Sequence, residues 1–159
     1  MTPAGLLVST IKTARPYTAA YVLVCHDEKY LFVRREKTGY MDGYYGLPSG
    51  KMEDNEGFMA AAIREAKEEV GIDIDPSDLT HAVTLWRQEG RSGMEWCDVA
   101  FYVDRWQGVP QNAEPQLHSC IAWLSPDQLP ENVVPYHRMI VHCHRNAETY
   151  GEYHTDVAK

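Results

Sequence analysis

Between residues 57 and 70 the hydrophobic pattern takes on a helical period. Met59, Ile63, Ala66 and Val70 stand at i, i+4, i+7 and i+11, along one side of a helix. Gly71 follows where a left-handed C-cap belongs. One amphipathic helix must cover an apolar surface, and the neighbouring segments offer strands. Residues 19–25 and 30–33 are apolar and strand-forming, and the polar turn His26-Asp27-Glu28-Lys29 between them predicts a β-hairpin. Residues 34–48 carry glycines, tyrosines and a proline and read as a long loop, of the kind that is functional or disordered. Two long strands are expected at 81–88 and 95–106 around a turn at 89–93. A short strand around 121–123 and a second helix from about 136 to 150, after Pro135, complete the pattern. Strands mixed with two helices predict an α/β fold, a sheet with a helix on each face.

At 159 residues the chain fits one domain, taken as 1–159, and no repeat or low-complexity tract divides it. Fifteen basic against 23 acidic side chains give a formal net charge of −8. That balance disfavours a phosphate-gripping nucleic-acid face, which needs a basic surface. It permits a polyanionic small substrate if a divalent metal supplies the positive charge. No apolar run approaches the roughly 18 residues of a membrane span, and the first residues lack the basic-then-apolar order of a secretory signal. Cys25, Cys97, Cys120 and Cys143 form no Cys-x-x-Cys pair and are expected to be reduced and mostly buried, as in a cytoplasmic protein.

The chemistry-bearing residues lie in 50–72. Glu65, Glu68 and Glu69 stand at i, i+3 and i+4, expected beside the apolar face of the helix, and Glu56 precedes it. Like charges at that spacing destabilise a helix by some tenths of a kcal/mol. Their clustering points instead to a hard divalent cation, for which Mg²⁺ with oxygen ligands is the natural choice. Arg64 can pair with Glu56 or another carboxylate and fix which oxygens face the metal.

The spacing Gly50, Glu56, Arg64-Glu65, Glu68-Glu69, Gly71-Ile72 resembles the signature of the Nudix hydrolases at every defined position. A chance match at one starting point has odds on the order of one in a hundred million. The lead-in Tyr45-Gly46-Leu47-Pro48-Ser49 is similar to the family's, with Tyr45 where Trp is frequent and Ser49 where Gly is frequent. Residues 114–115 and 123–130 are similar to a stretch of nucleotide-cleaving members. The resemblance implies an α/β/α sandwich with a mixed sheet between helices, and hydrolysis of a nucleoside diphosphate linked to another group. By position it makes Glu68 and Glu69 the main Mg²⁺ ligands, with Mn²⁺ a possible substitute, and Glu65 a ligand or the base that orients attacking water. Glu56 becomes a further ligand or a carboxylate behind the ligands, and the Ser49 or Gly50 carbonyl an additional donor. Cleaving a pyrophosphate demands charge neutralisation and a placed water, and little covalent work from the protein.

Outside the box, Glu114 is the carboxylate expected to complete the site, with Glu95, Asp98 and Asp104 as alternatives and His118 as a candidate base or an ordinary surface histidine. Lys51, Arg35, Arg34 and Lys37 are candidates for the phosphates. Tyr44, Tyr45, Trp86 and Trp123 are candidates for stacking on a base. His137, His142, Cys143, His144 and Cys120 fit no standard zinc spacing. The expected activity is Mg²⁺-dependent conversion of a nucleoside triphosphate to the monophosphate and pyrophosphate. The alternatives are another substrate such as ADP-ribose or a nucleotide sugar, and a non-catalytic nucleotide sensor. A nucleotide is the expected partner, without nucleic acid or membrane, for a monomer or homodimer.

Overall fold

The computed structural model describes residues 14–90 and 92–155. Its elements run β1 (Tyr17–His26), β2 (Lys29–Arg35), β3 (Tyr45–Gly46), β4 (Ser49–Lys51), α1 (Phe58–Val70), β5 (Thr80–Gln88), β6 (Glu95–Val103), β7 (His118–Leu124), α2 (Pro135–Arg145) and β8 (Tyr150–His154). The strands form a mixed sheet along the path β3-β2-β1-β6-β5-β8, with β4 on β1 and β7 on β2. The first hairpin turns as expected, with Asp27 and Glu28 both at positive φ and Cys25 opposite Tyr30.

Strand β1 explains why residues 19–25 are apolar without alternation. Ala20, Val22 and Val24 pack with Ala61, Ala62, Ala66 and Val70 of α1. Ala19, Tyr21 and Leu23 belong to the opposite core, with Phe32, Leu47, Leu85 and, from α2, Ile140, Val141 and Cys143. Successive side chains point to opposite faces, so a strand covered on both sides is apolar throughout. The α/β sandwich is therefore present as expected. Truncating the fully buried Ile140 to Ala removes this seam at a cost of about 2–5 kcal/mol.

Strand β1 also changes partner along its length. One side pairs in parallel with β6 from Tyr17↔Trp96 to Val24↔Val103. On the other side, residues 19–21 pair with β4, and Cys25 and His26 pair with β2. Between them, the Val22 N–H donates to the Pro48 carbonyl at 2.9 Å. The expected loop 34–48 is thus ordered, and its end supplies β3 and leads into β4.

The second helix is shorter than its sequence pattern predicts. It stops at Arg145, where the Asn146 N–H reaches the His142 and Cys143 carbonyls and Ala147 turns to φ +56. The chain then reverses, and Tyr150–His154 becomes β8, parallel to β5 from Thr84↔Tyr150 to Gln88↔His154. Its alternating exposure is a period of two, short enough to pass for the end of a helix. The four cysteines are free, as expected, but only Cys143 is buried; Cys25, Cys97 and Cys120 are half-buried.

Candidate active site

Helix α1 is rotated from the expected face. Its buried residues are Ala61, Ala62, Ala66, Glu69 and Val70, while Met59 is exposed. Alanines let the helix axis approach β1 closely, so small side chains set the packing face and the larger Met59 lies at its margin. Glu69 therefore points inward and is 8% exposed. Gly71 closes the helix at φ +74, its N–H reaching the Lys67 carbonyl.

The carboxylates are held in a specific arrangement. Arg64 grips Glu56 through two hydrogen bonds, Nε to Oε1 at 2.8 Å and Nη2 to Oε2 at 3.0 Å. Its Nη1 also donates to Glu65 Oε1 at 2.7 Å and Glu68 Oε2 at 3.3 Å, and its Nη2 to the Lys51 carbonyl at 3.1 Å. Glu56 further accepts the Glu53 N–H, so both its oxygens are engaged and its pKa is held down at about 2, chiefly by Arg64. The Ser49 N–H donates to Glu69 Oε2 at 3.1 Å. Burial and the neighbouring Glu65 charge push the Glu69 carboxyl well above the usual range. Burial also raises Glu65 and Glu114. Three carboxyls that resist ionisation at one place fit a cation-binding role.

The loop 111–118 is stitched to the end of α1. The Gln111 N–H donates to the Val70 carbonyl and the Ala113 N–H to the Glu69 carbonyl, each at 3.0 Å. The N–H groups of Leu117 and His118 both donate to the Glu114 carbonyl at 2.9 Å. Ligand atoms of Glu69, Glu114 and His118 consequently lie within 4.8 Å of one another. This donor set fits a divalent cation. His118 is 3% exposed, with Nε2 3.8 Å from Glu69 Oε1. Burial, with Arg35 adding to it, lowers its pKa to about 4, so the ring is neutral at physiological pH.

Beside these groups a cavity of about 460 Å³ opens on the α2 face of the sheet. It begins at Ser49, Gly50 and Lys51 and runs past Arg35 and Tyr40 to Arg87, Trp96 and Tyr136. Arg87 is 3% exposed and lies between two rings, 4.4 Å from the Trp96 centroid and 4.1 Å from that of Tyr136. It donates to Asp98, fully buried, at 2.7 Å and to Glu89 at 2.6 Å. Burial raises the Asp98 pKa against the pull of Arg87.

The NUDIX domain model matches residues 15–142. The chain belongs to the NUDIX family. Among known relatives of this NUDIX chain, an 8-oxo-dGTP diphosphatase of Proteus vulgaris is 36% identical over 62 residues, which are 38% of this chain. That match spans about half, 55%, of the relative's length. Among solved structures, a MutT NUDIX hydrolase from Burkholderia pseudomallei superposes with a TM-score of 0.74 at 25% identity, covering 81% of this chain and 98% of its own. The E. coli ORF135 protein gives 0.67 at 22% identity, covering 80% and 87%. A MutT protein from Bacillus halodurans gives 0.70 at 20%, covering 89% and 91%.

Within this NUDIX domain the expected site residues fall into three groups. Glu56, Arg64, Glu65, Glu68, Glu69, Ser49 and Gly50 come together along the side of α1 that faces β4, and Glu114 joins them from its loop at the end of the helix. Lys51 and Arg35 line the cavity. Trp86 and Tyr44 do not. Trp86 neighbours the cavity-facing Arg87 on β5 and so projects from the other side of the sheet, and Tyr44 is 37% exposed on the loop. Trp123 stacks on Trp106 instead, at 6.1 Å, and Asp98 serves Arg87 rather than the carboxylates. His118 is buried, not on the surface: it opens β7 opposite Arg35, next to a register shift, with its Nε2 3.8 Å from Glu69 of α1. His137 is a core residue whose Nδ1 accepts the Leu47 N–H at 2.8 Å. Sequence reasoning missed Arg87, Glu89, Trp96 and Tyr136. The available signal was a charge at an inward position of β5, after Val83 and Leu85, with an acid on the same face of β6.

Proposed function

We propose that the protein hydrolyses a nucleoside triphosphate to the monophosphate and pyrophosphate with Mg²⁺, for which Mn²⁺ can substitute. The observation that carries this reading is the continuity of the two halves: Ser49, Gly50 and Lys51 border both the carboxylate cluster and the cavity. A phosphate chain lying along β4 would have its anionic end at the carboxylates and its nucleoside in the cavity, whose volume suits a small organic ligand. The Proteus vulgaris relative is an 8-oxo-dGTP diphosphatase, an activity of the same class.

In this reading Glu68, Glu69 and Glu114 hold the cation, with the Ser49 or Gly50 carbonyl as a further donor. The bound metal supplies charge neutralisation on the phosphate oxygens and a more acidic water. Glu65 orients the attacking water and takes its proton, and its raised pKa suits that task. Glu56 holds Arg64, and Arg64 fixes the Glu65 carboxylate by their shared hydrogen bonds. Lys51 and Arg35 meet the phosphates. The aromatic walls Trp96, Tyr40 and Tyr136 receive the base.

The test is incubation with Mg²⁺ and a panel of nucleoside triphosphates, nucleotide sugars and dinucleoside polyphosphates, with chromatographic separation of products. A monophosphate plus pyrophosphate from a triphosphate supports the reading. Cleavage confined to a nucleotide sugar or ADP-ribose would overturn the substrate and keep the chemistry. Absence of turnover with either metal would favour a nucleotide-sensing domain.

A further inference from the structure

His118 is the one member of the proposed cation site that is not an oxygen donor, and its surroundings separate it from a core histidine. His137 shows what a satisfied buried imidazole looks like here, with Nδ1 accepting the Leu47 N–H at 2.8 Å and its ring edge-on to Tyr21. The equally buried His118 has no such arrangement. Among the described residues its Nδ1 has no hydrogen-bond partner, and its Nε2 has Glu69 Oε1 at 3.8 Å, beyond hydrogen-bond reach. Buried polar groups are ordinarily paired, so an Nε2 that faces Glu69 with no hydrogen bond, on a ring buried beside two carboxylates, calls for a reason.

The spacing supplies one. Neighbouring donors on a near-octahedral ion stand about 3 Å apart, so Nε2 and Glu69 Oε1, at 3.8 Å, need to close by less than an ångström to share one. Glu114 closes the group within 4.8 Å. The loop that brings the ring there is itself pinned, because Asn112 Nδ2 donates to the His118 carbonyl at 2.7 Å. Resting on the metal-site reading above, we propose that His118 is a nitrogen ligand of the divalent cation, together with Glu69 and Glu114. An imidazole among carboxylates shifts preference away from Mg²⁺, which favours oxygen, toward the first-row transition ions, least for Mn²⁺ and more for Co²⁺. His118 then strengthens binding of a transition ion relative to Mg²⁺.

The experiment uses the whole protein loaded with Mn²⁺. Water-proton relaxation during titration counts bound ions, and pulsed electron paramagnetic resonance on the bound Mn²⁺ detects directly coordinated nitrogen. The expected result is a ¹⁴N coupling that converts to a ¹⁵N pattern when histidine alone is ¹⁵N-labelled, and that is missing from His118→Gln. Affinity for Mn²⁺ should fall about tenfold or more in that variant, and affinity for Mg²⁺ markedly less. Mn²⁺ bound without nitrogen coupling in the wild type would overturn the proposal and leave the carboxylate site standing. Coupling that persists in folded His118→Gln would overturn it too. Failure to bind Mn²⁺ at all would overturn the metal reading itself. If His118→Gln does not fold, the labelled wild type decides, since the other described histidines are outside the ligand group.

Discussion

The Glu65 carboxylate fills the space that a Cβ on Gly50 would need. Glycine at position 50 is therefore a condition for where Glu65 sits, not for how the chain turns. Gly50→Ala should fold, because the obstructing atoms are at the far end of a flexible side chain, while displacing Glu65 by an ångström or more. Turnover is expected to fall about a hundredfold with little change in melting temperature. Wild-type turnover in a folded Gly50→Ala would detach Glu65 from the chemistry.

Glu69 is predicted to oppose stability in the metal-free protein. Its folded pKa lies above the ordinary 4.5, so the folded form holds the proton more tightly than the unfolded chain. The associated stabilisation is complete below pH 4.5 and is lost as pH rises through the folded value. Glu69→Gln escapes that loss. Without metal at pH 8 it should melt about 2–5 °C higher than wild type, with the advantage absent near pH 4. It should also lose the upward shift in melting temperature that Mg²⁺ or Mn²⁺ gives the wild type, and about 10–100-fold or more of activity. Thermal scans at the two pH values, with and without metal, check each part.

Glu56 behaves in the opposite sense. Its folded pKa of about 2 lies below the ordinary 4.5, so its contribution is present above pH 4.5 and disappears as pH falls toward 2. The difference in melting temperature between wild type and Glu56→Gln should shrink across that window and be constant above it. A difference independent of pH would mean that the Arg64 grip on Glu56 does not survive in solution.

Arg87 and Asp98 should fail singly and tolerate joint replacement. Arg87→Met strands a fully buried carboxylate, expected to cost about 3–5 kcal/mol in urea denaturation. Arg87→Met combined with Asp98→Asn should recover most of that cost. Strict additivity of the two single losses would show that the pair does not interact.

The parts of the molecule legible in the sequence were those encoded by period and spacing. The hairpin, α1, the strands of the β5–β6 ribbon and the grouping of Glu56 with Glu65, Glu68 and Glu69 all follow from residues near one another in the chain. The rotation of α1 did not, because large apolar residues attract attention while Ala61, Ala62 and Ala66 are fully buried. The partners of Arg87 and the position of His118 depend on strand register, which is a tertiary fact. Strand β8 was hidden because five residues alternate too briefly to separate from a helix end.

The partner change along β1 places β4 between the carboxylates of α1 on one face and the Arg87 cavity on the other. Variation can therefore act on them separately. A lineage could exchange Trp96, Tyr136 or Glu89 and acquire a different cargo without disturbing Arg64 and the acids it organises. Inheritance of the reaction and diversification of the substrate would then be written in different strands of one small sheet.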